Sequence, residues 1–453
     1  MYQRLRARHL LAALLALIPF AYLVRMCVMR VVDVPLWDEW QLALRLDHLQ
    51  AGTLTFREFW EQHNEHRPMF PVLILLAIAR FTGWDVRWEI AANLAAGVGV
   101  FVLYCLYLRS AWRAHGGAPW WLVPALSGLA FSTVQWENWV WGWQMSVMLC
   151  ALMSLATSFL VARGADSPRR LAGAMACATI ATYSFASGLM LWVSQLPGVW
   201  VTAGARRRAH TAAWLAAGAA VYATYFYQFE RPYQAPISSN FTSLQALRAL
   251  ITYVFTYVGT PVGSYGADAS TAAGAIGVAL LGALAFRLRA LRDDPAYRLP
   301  ILIALQTLAT ASVSGLGRAY MGVEQAMSSR YTTLSLPFWC AILFLAALWW
   351  QTAPASAPWR WRALRAVTAG LIAGALTLSY AKSARSGVYI VAARSEVIMY
   401  ARRALLTGKS NALLLQLFPL ADTLRERRAI IMRLRLSVFR PAVQPSYPLP
   451  GPE

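Results

Sequence analysis

The sequence predicts an all-α, polytopic membrane protein with about eleven transmembrane helices. Charged residues make up only 13% of the 453 residues, hydrophobic residues make up 58%, and the mean hydropathy is +0.45. A soluble domain carries about 25% charged residues, so this composition excludes an ordinary soluble enzyme. The apolar residues also fall in blocks long enough to cross a bilayer, which takes about 20 residues per helix.

The predicted spans follow the apolar blocks in chain order. They lie at about 10–30, 89–109, 119–134, 144–162, 171–184, 189–203, 212–228, 271–288, 300–316, 332–350 and 363–380. Residues 1–30 resemble a signal peptide, but no A-x-A cleavage pattern follows, so we expect an uncleaved first helix. Two shorter apolar stretches, 69–81 and 246–260, are predicted to be helices at the outer interface. Residues 1–380 thus form one transmembrane domain.

The distribution of arginine predicts which side each loop faces. The net charge is +21, and the arginines cluster between apolar blocks, as the positive-inside rule expects of cytoplasmic loops, so binding to nucleic acid is not indicated. These clusters are Arg4, Arg6 and Arg8; Arg109 and Arg113; Arg163, Arg169 and Arg170; Arg206 to Arg208; Arg287, Arg289 and Arg292; and Arg360, Arg362 and Arg365. The outward loops are then 31–68, 135–143, 184–188, 229–270 and 317–331. The tail, 381–453, also faces outward and is predicted to form short amphipathic helices or a small domain.

The first outward loop concentrates the polar residues of the chain. Residues 31–68 contain seven of the 20 acidic residues and three of the six histidines. Two segments are densest, 34–40 with the sequence VPLWDEW and 63–68 with the sequence HNEHRP. A predicted amphipathic helix joins them. We therefore expect the loop to fold back on the membrane and bring both segments together.

Asp38 and Glu39 are the candidate catalytic residues of this loop. Asp38 lies between Trp37 and Trp40, whose rings favour the bilayer interface, so its carboxylate is placed to meet the head group of a lipid-linked substrate. The alternative is that both acids cap the loop helix, because acidic residues suit a helix N-terminus.

Glu65, His66 and Arg67 favour a functional site over simple capping. A loop that is merely exposed to water would not need a carboxylate, two histidines and a guanidinium directly before an apolar stretch. Glu65, His66 and Arg67 are therefore predicted to bind substrate. His63 and His66 could also share a helical face and bind a metal with Glu65 or Asp38. Their spacing is not the HExxH pattern, so no metal or other cofactor is predicted. The five cysteines show no CxxC or Cys/His spacing.

Two later outward loops supply further candidates. Glu137 and Asn138 lie among four tryptophans, and aromatic rings with interspersed polar groups make a platform for a sugar, although an aromatic belt explains Trp139 and Trp141 equally well.

Arg318 and Arg330 lie in a predicted outward loop, where the positive-inside rule expects few arginines. Arginine makes forked contacts with phosphate, so these two residues, with Tyr331, are predicted to hold a lipid phosphate. Snorkelling of the arginines to the membrane interface is the alternative.

The order of these features resembles the GT-C superfamily of integral membrane glycosyltransferases, such as protein O-mannosyltransferases and bacterial lipid A aminoarabinose transferases. The matching pieces are Asp38-Glu39 at the start of the loop, the run from Glu65 to Pro68, Phe81-Thr82-Gly83 after an apolar stretch, and Arg87 at the head of a long helix. The likeness covers about residues 1–115 in motif order. It is nearest to bacterial membrane proteins that share the WDEW, NEHR and LSVF patterns.

The resemblance implies a base in the first loop and a polyprenyl-phosphate sugar as donor. If the residue roles of this family apply to this sequence, the catalytic base is Asp38, with Glu39 as the alternative. The resemblance also implies that the active site faces the periplasm from the bacterial inner membrane. The acceptor would be a lipid, a glycan or a protein. The chain departs from better-known members in having Arg67-Pro68-Met69 instead of a doubled proline, no Asp-x-Asp in the first loop and no large C-terminal globular domain. These differences leave the sugar, the acceptor and metal use open and argue against an oligosaccharyltransferase.

Two other functions fit the same features. A lipid-linked glycan ligase or polymerase would use the outward arginines and depend less on Asp38. A non-enzymatic transporter of lipid or glycan would require ionisable residues near the membrane midplane, of which the sequence offers few, and no inverted repeat is evident.

Overall fold

The protein is an all-α polytopic membrane protein. The computed structural model describes residues 2–230, 243–263, 266–352 and 358–441, with the side chains of residues 2–7 excluded. Parts of the predicted loop at 229–270, the end of the tail and the side chains of Arg4 and Arg6 therefore lie outside the described residues. Within the described ranges every regular element is helical, and the single pair with β-type hydrogen bonding is His63 with His66.

Seven of the described helices are long and apolar enough to cross a membrane. They are α1 (Tyr2–Arg30), α5 (Val86–Ala111), α8 (Met145–Ala162), α14 (Ala267–Arg287), α15 (Pro295–Arg318), α16 (Ser329–Gln351) and α17 (Trp359–Thr407). The predicted number of eleven spans is not established by this criterion.

The other helices are shorter or less apolar. They are α2 (Gln41–Ala51), α3 (Phe56–Trp60), α4 (Met69–Thr82), α6 (Leu122–Ala130), α7 (Trp136–Val140), α9 (Pro168–Thr182), α10 (Leu191–Ser194), α11 (Leu196–Thr202), α12 (Arg207–Phe226), α13 (Leu244–Gly259), α18 (Asn411–Leu414) and α19 (Ala421–Arg433). The predicted interfacial stretches form α4 and α13, which at 14 and 16 residues are shorter than a bilayer is thick. The predicted span at 189–203 is broken at Gln195, whose amide donates to the carbonyl of Leu302.

Helix α17 runs well past the predicted end of the last span. Its 49 residues measure about 74 Å, more than twice the thickness of a hydrocarbon core. A row of small buried residues, Ser379, Ser383, Gly387 and Ser395, lies along one side of the helix. The predicted domain boundary at 380/381 therefore falls inside a continuous helix.

The tail packs on the first loop and forms a buried cluster separate from the main transmembrane core. Tail residues such as Leu405, Leu417 and Ile431 are buried together with Trp40 and Leu46 of the loop. Polar contacts reinforce the packing, because the backbone N–H of Trp37 donates to the carbonyl of Leu417 at 2.7 Å. The first loop is thus held between the membrane helices and the tail.

Arg440 anchors the end of the described tail. Its guanidinium forms ion pairs with Asp33, directly after α1, and with Asp85, directly before α5, and donates to the carbonyl of Thr82 at 2.9 Å. The arginine and both carboxylates are largely buried, so the contact fixes the start of the first loop to the α4–α5 corner.

Candidate functional site

Two polar turns of the first loop meet between α1 and α4. The first is a 3-10 turn at Trp37–Trp40, which carries Asp38 and Glu39. The second is a tight hairpin in which His63 and His66 exchange two backbone hydrogen bonds of 2.8 and 2.9 Å around Asn64, whose φ is 50°. The two histidines therefore face each other across a hairpin and do not share a helical face, contrary to the geometry considered for a metal. The predicted meeting of the two segments is observed.

Asp38 contacts His63. Its Oδ2 atom lies 3.5 Å from Nε2 of His63, and the side chain of Asp38 is 35% exposed, so it is open to a substrate. The amide of Gln41 lies 3.1 Å from Nδ1 of the same ring. The amide of Asn64 lies 3.3 Å from Nε2, so both ring nitrogens have an amide neighbour and the contacts fit either tautomer. The carboxylate of Asp38 and the imidazole of His63 are both groups that can accept a proton.

Glu39 has a different environment from its neighbour. It is only 2% exposed, and its carboxyl oxygens accept the backbone N–H groups of Leu36 at 2.7 Å and Trp143 at 3.1 Å. Burial raises the pKa of Glu39 to about 8, and the nearby charge of Asp38 adds to the shift. Glu39 thus performs the capping role that was the alternative for both acids, and it largely keeps its proton at neutral pH.

The partner of Glu39 is Glu89 of α5, which the sequence analysis did not select. A Cβ atom placed on Gly142 would collide with carboxyl oxygens of both residues, so the two carboxyl groups meet at this glycine. Trp84 donates to Glu89 at 3.0 Å. Glu89 lies in the first turn of α5, where an acidic residue suits a helix N-terminus, so nothing in the sequence singled it out. Its partner could not be found from sequence, since Glu39, Glu89 and Gly142 are far apart in the chain.

His66 has only 15% of its side chain exposed. Its Nδ1 accepts the backbone N–H of Ala186 at 3.2 Å, and its ring stacks on Phe185 with centroids 4.0 Å apart. Burial holds the pKa of His66 well below its usual value, and the positive charges of Arg318 and Arg330 act in the same direction. The hairpin of the first loop and the two late arginines therefore lie in one electrostatic environment.

A direct ion pair joins the first loop to α15. Arg318 donates to Oε2 of Glu65 at 2.8 Å, and both side chains are partly buried. The guanidinium groups of Arg318 and Arg330 lie 5.8 and 5.6 Å from the ring centroid of Tyr331, which stacks on Tyr257. The structure thus brings together Glu65, His66, Arg318, Arg330 and Tyr331.

The two arginines differ in their partners. Arg318 is neutralised by Glu65, whereas the guanidinium of Arg330 has no carboxylate or hydrogen-bond partner in the part of the chain that the structure describes. The Nε atom of Arg330 is buried and unpaired. Because buried donors in proteins are nearly always satisfied, this group is suited to an anionic ligand.

Glu137 and Asn138 position Arg330. The carboxylate of Glu137 accepts the backbone N–H of Arg330 at 3.0 Å, at the N-terminus of α16, and the amide of Asn138 donates to the carbonyl of Arg330 at 3.0 Å. Asn138 is fully buried and also donates to Thr333. The predicted sugar platform is therefore a support for the backbone of Arg330, and direct contact of these two residues with a substrate remains a prediction.

Arg67 forms a structural clamp. It is 3% exposed, and it donates to three backbone carbonyls, those of Trp60, Tyr225 and Tyr227, at 2.6 to 2.7 Å. These contacts tie the end of α3 to the end of α12. The predicted substrate-binding role of Arg67 has no structural support, because its guanidinium faces the backbone of the protein.

Within the described ranges, no group of three or more His, Cys, Asp or Glu side chains is placed to hold a metal ion. The arrangement offers a proton acceptor at Asp38 and His63 and an anion-binding group at Arg330. Glu65 connects the first loop to α15 through its ion pair with Arg318.

No protein-family model matches the chain, and no curated protein matches it significantly. Among solved structures, the chain is similar to the crystal structure of ArnT from Cupriavidus metallidurans bound to undecaprenyl phosphate, with 14% sequence identity and a TM-score of 0.44 over 95% of this chain and 78% of that chain. A similarity at this level does not establish a shared activity.

Proposed function

We propose that this protein is a membrane glycosyltransferase that moves a sugar from a polyprenyl-phosphate carrier to a lipid, glycan or protein acceptor. The observation that carries the proposal is the proximity of two chemical functions. The partly exposed carboxylate of Asp38 contacts His63, which lies in the hairpin that pairs with Arg318 and feels the charge of Arg330. The active site would face the periplasm from the inner membrane.

Transfer from such a donor requires both functions. The acceptor hydroxyl loses its proton to a base as its oxygen forms a bond to the anomeric carbon, and the bond from that carbon to the phosphate oxygen breaks. Asp38 accepts the proton, assisted by His63, and Arg330 stabilises the charge on the departing phosphate. A single displacement of this kind inverts the anomeric centre.

Asp38 is preferred over Glu39 as the base because of their environments. Burial raises the pKa of Glu39 to about 8, so its carboxyl group is mostly protonated at neutral pH, and its oxygens accept backbone N–H groups. Asp38 is the more exposed of the two, and among the described residues His63 is the one ion-pair or hydrogen-bond partner of its carboxylate. Glu39 thus acts as a positioning residue that holds the 3-10 turn.

The test is transfer of an isotopically labelled polyprenyl-phosphate sugar to a cell-envelope extract by purified protein. Asp38→Asn should lower the rate by about 100-fold or more, because loss of a general base typically costs 10²–10⁴. The matched control is Glu61→Gln, an equivalent amide substitution at a half-exposed residue of the same loop. Full turnover by Asp38→Asn, with both variants folded, would refute the assignment of the base.

The same assay separates a transferase from a glycan ligase or polymerase. Arg330→Gln should weaken donor binding and slow transfer in either case, whereas a ligase should tolerate Asp38→Asn. Arg57→Gln, at an exposed arginine of the first loop, is the control for loss of a positive charge. Movement of the labelled lipid across vesicles without any covalent product would instead indicate a transporter.

A further inference from the structure

A cavity lies beside the polar cluster and has a different chemistry from that cluster. Its volume is about 250 Å³, and it lies between the end of α1, the first loop, α7 and α17. The lining is mainly apolar, with valines and Ile398, and it includes the side chains of Arg30 and Arg394. Of the polar cluster described above, the cavity shares only Glu137, so it is a separate site.

Arg394 is held between two tryptophan rings. Its guanidinium carbon lies 4.9 Å from the ring centroid of Trp37 and 5.1 Å from that of Trp136. Stacking of this kind fixes the plane of a guanidinium without using its N–H donors. Neither Arg394 nor Arg30 forms a side-chain hydrogen bond or an ion pair with another described residue. The two groups therefore present unused donors to the cavity.

The backbone at Trp37 is strained in a way that maintains this arrangement. Its φ of 48° is unusual for a bulky residue, and such conformations persist only where the surrounding structure imposes them. The N–H of Trp37 donates to the carbonyl of Leu417 at 2.7 Å, and its ring meets Trp141 edge-on at 5.1 Å. The loop and the tail together thus force one face of the Trp37 ring against Arg394.

The position of the cavity indicates the kind of ligand. Arg30 ends the span of α1, so the cavity opens near the level of a membrane–water interface, where tryptophan and arginine meet lipid head groups. The lining carries two guanidinium groups and one carboxylate, and that carboxylate is engaged by the N-terminus of α16. A ligand that matches this cavity has an anionic head and an apolar chain.

We propose that this cavity binds an anionic phospholipid, with its phosphate at Arg394 and Arg30 and its acyl chain along the valines and Ile398. The proposal does not depend on the transferase activity, because it concerns a separate site. A protein segment with an acidic side chain is a different class of ligand, and the apolar lining at membrane level favours the lipid.

Binding of short-chain phosphatidylglycerol to the purified full-length protein in detergent tests the proposal. The wild-type protein should bind phosphatidylglycerol at least about tenfold more tightly than phosphatidylcholine. Arg394→Gln should remove most of this difference, since one charge-assisted contact is worth tenfold or more. Arg385→Gln is the matched control, because Arg385 is an exposed arginine on the same helix and outside the cavity.

Two further measurements distinguish a lipid site from a simple anion site. Ile398→Trp fills the apolar part of the cavity and should abolish binding of phosphatidylglycerol. Inorganic phosphate should bind weakly to the wild-type protein. Equal affinity for inorganic phosphate and phosphatidylglycerol, or equal weakening by Arg385→Gln and Arg394→Gln, would overturn the proposal.

A photoactivatable phosphatidylglycerol tests the site in the wild-type protein without any substitution. The cross-link should map to residues 30–37, 136–141 or 391–398. Labelling confined to other segments, or absence of a preference for the anionic lipid, would also overturn the proposal. This result stands even if a substituted protein fails to fold.

Discussion

Replacement of Glu39 by glutamine should change how the stability of the protein depends on pH. The carboxyl group has an ordinary pKa of 4.5 and a folded-state pKa of about 8. A raised pKa means that the folded state holds the proton more tightly than the unfolded state. The contribution of Glu39 to the free energy of unfolding is therefore fully present below pH 4.5 and is lost as pH rises to about 8. Between pH 5 and pH 8 the loss amounts to about 3 kcal/mol.

Thermal unfolding of the purified protein in detergent measures this effect. The Tm of the wild-type protein should fall relative to that of Glu39→Gln by about 5 °C between pH 5 and pH 8. Any change in stability that the glutamine causes equally at every pH cancels, because the comparison uses only the slope of Tm against pH for each protein. Glu426→Gln, at an exposed position on α19, should leave the slope of the wild type unchanged. Parallel curves for the wild type and Glu39→Gln would show that Glu39 is ionised in the folded protein, and the argument for Asp38 over Glu39 would fail.

Two further substitutions test the framework around the site. Arg440→Gln leaves the buried carboxylates of Asp33 and Asp85 without their shared partner, so it should destabilise the protein by about 3–5 kcal/mol. The tail should then be cleaved more readily in limited proteolysis. An unchanged Tm and an unchanged cleavage pattern would contradict the anchoring role of Arg440. Gly142→Ala places a methyl group on the buried carboxyl pair and should lower the Tm by several degrees, whereas Gly128→Ala, where a Cβ meets nothing within 4 Å, should not. Equal Tm values for the two alanine variants would show that the pair has room to move.

The sequence predicted the all-α membrane fold correctly, because composition and apolar block length depend on no tertiary contact. It was less informative about the exact helices. The apolar blocks at 119–134 and 189–203 yielded only short helices, since hydropathy does not register a break such as the one at Gln195. Hydropathy likewise ended the last span at 380, although the helix continues to Thr407 along its row of small buried residues.

In the candidate site, as in the fold, sequence patterns within a short segment were informative, whereas contacts between residues far apart in the chain could not be predicted. The high local density of polar residues pointed to the first loop and to the segment around His63 and His66. Arg318 and Arg330 were noticed because the positive-inside rule expects few arginines in an outward loop. The roles of individual residues depended on distant partners. Glu39 is set apart from Asp38 by α5 and by Gly142, which lies about a hundred residues later in the chain. No spacing pattern in the sequence contains that information.

The unequal partners of Arg318 and Arg330 bear on where a phosphate would bind. Glu65 neutralises Arg318 at 2.8 Å, so a phosphate at Arg318 would have to compete with a carboxylate that is already in place. Arg330 has no such competitor among the described residues, and its backbone is fixed on both sides by Glu137 and Asn138. A guanidinium held in this way loses little freedom when it binds an anion. Arg330 is therefore the stronger candidate for the phosphate, while Arg318 ties the hairpin of the first loop to α15 and adds to the effect of burial in lowering the pKa of His66.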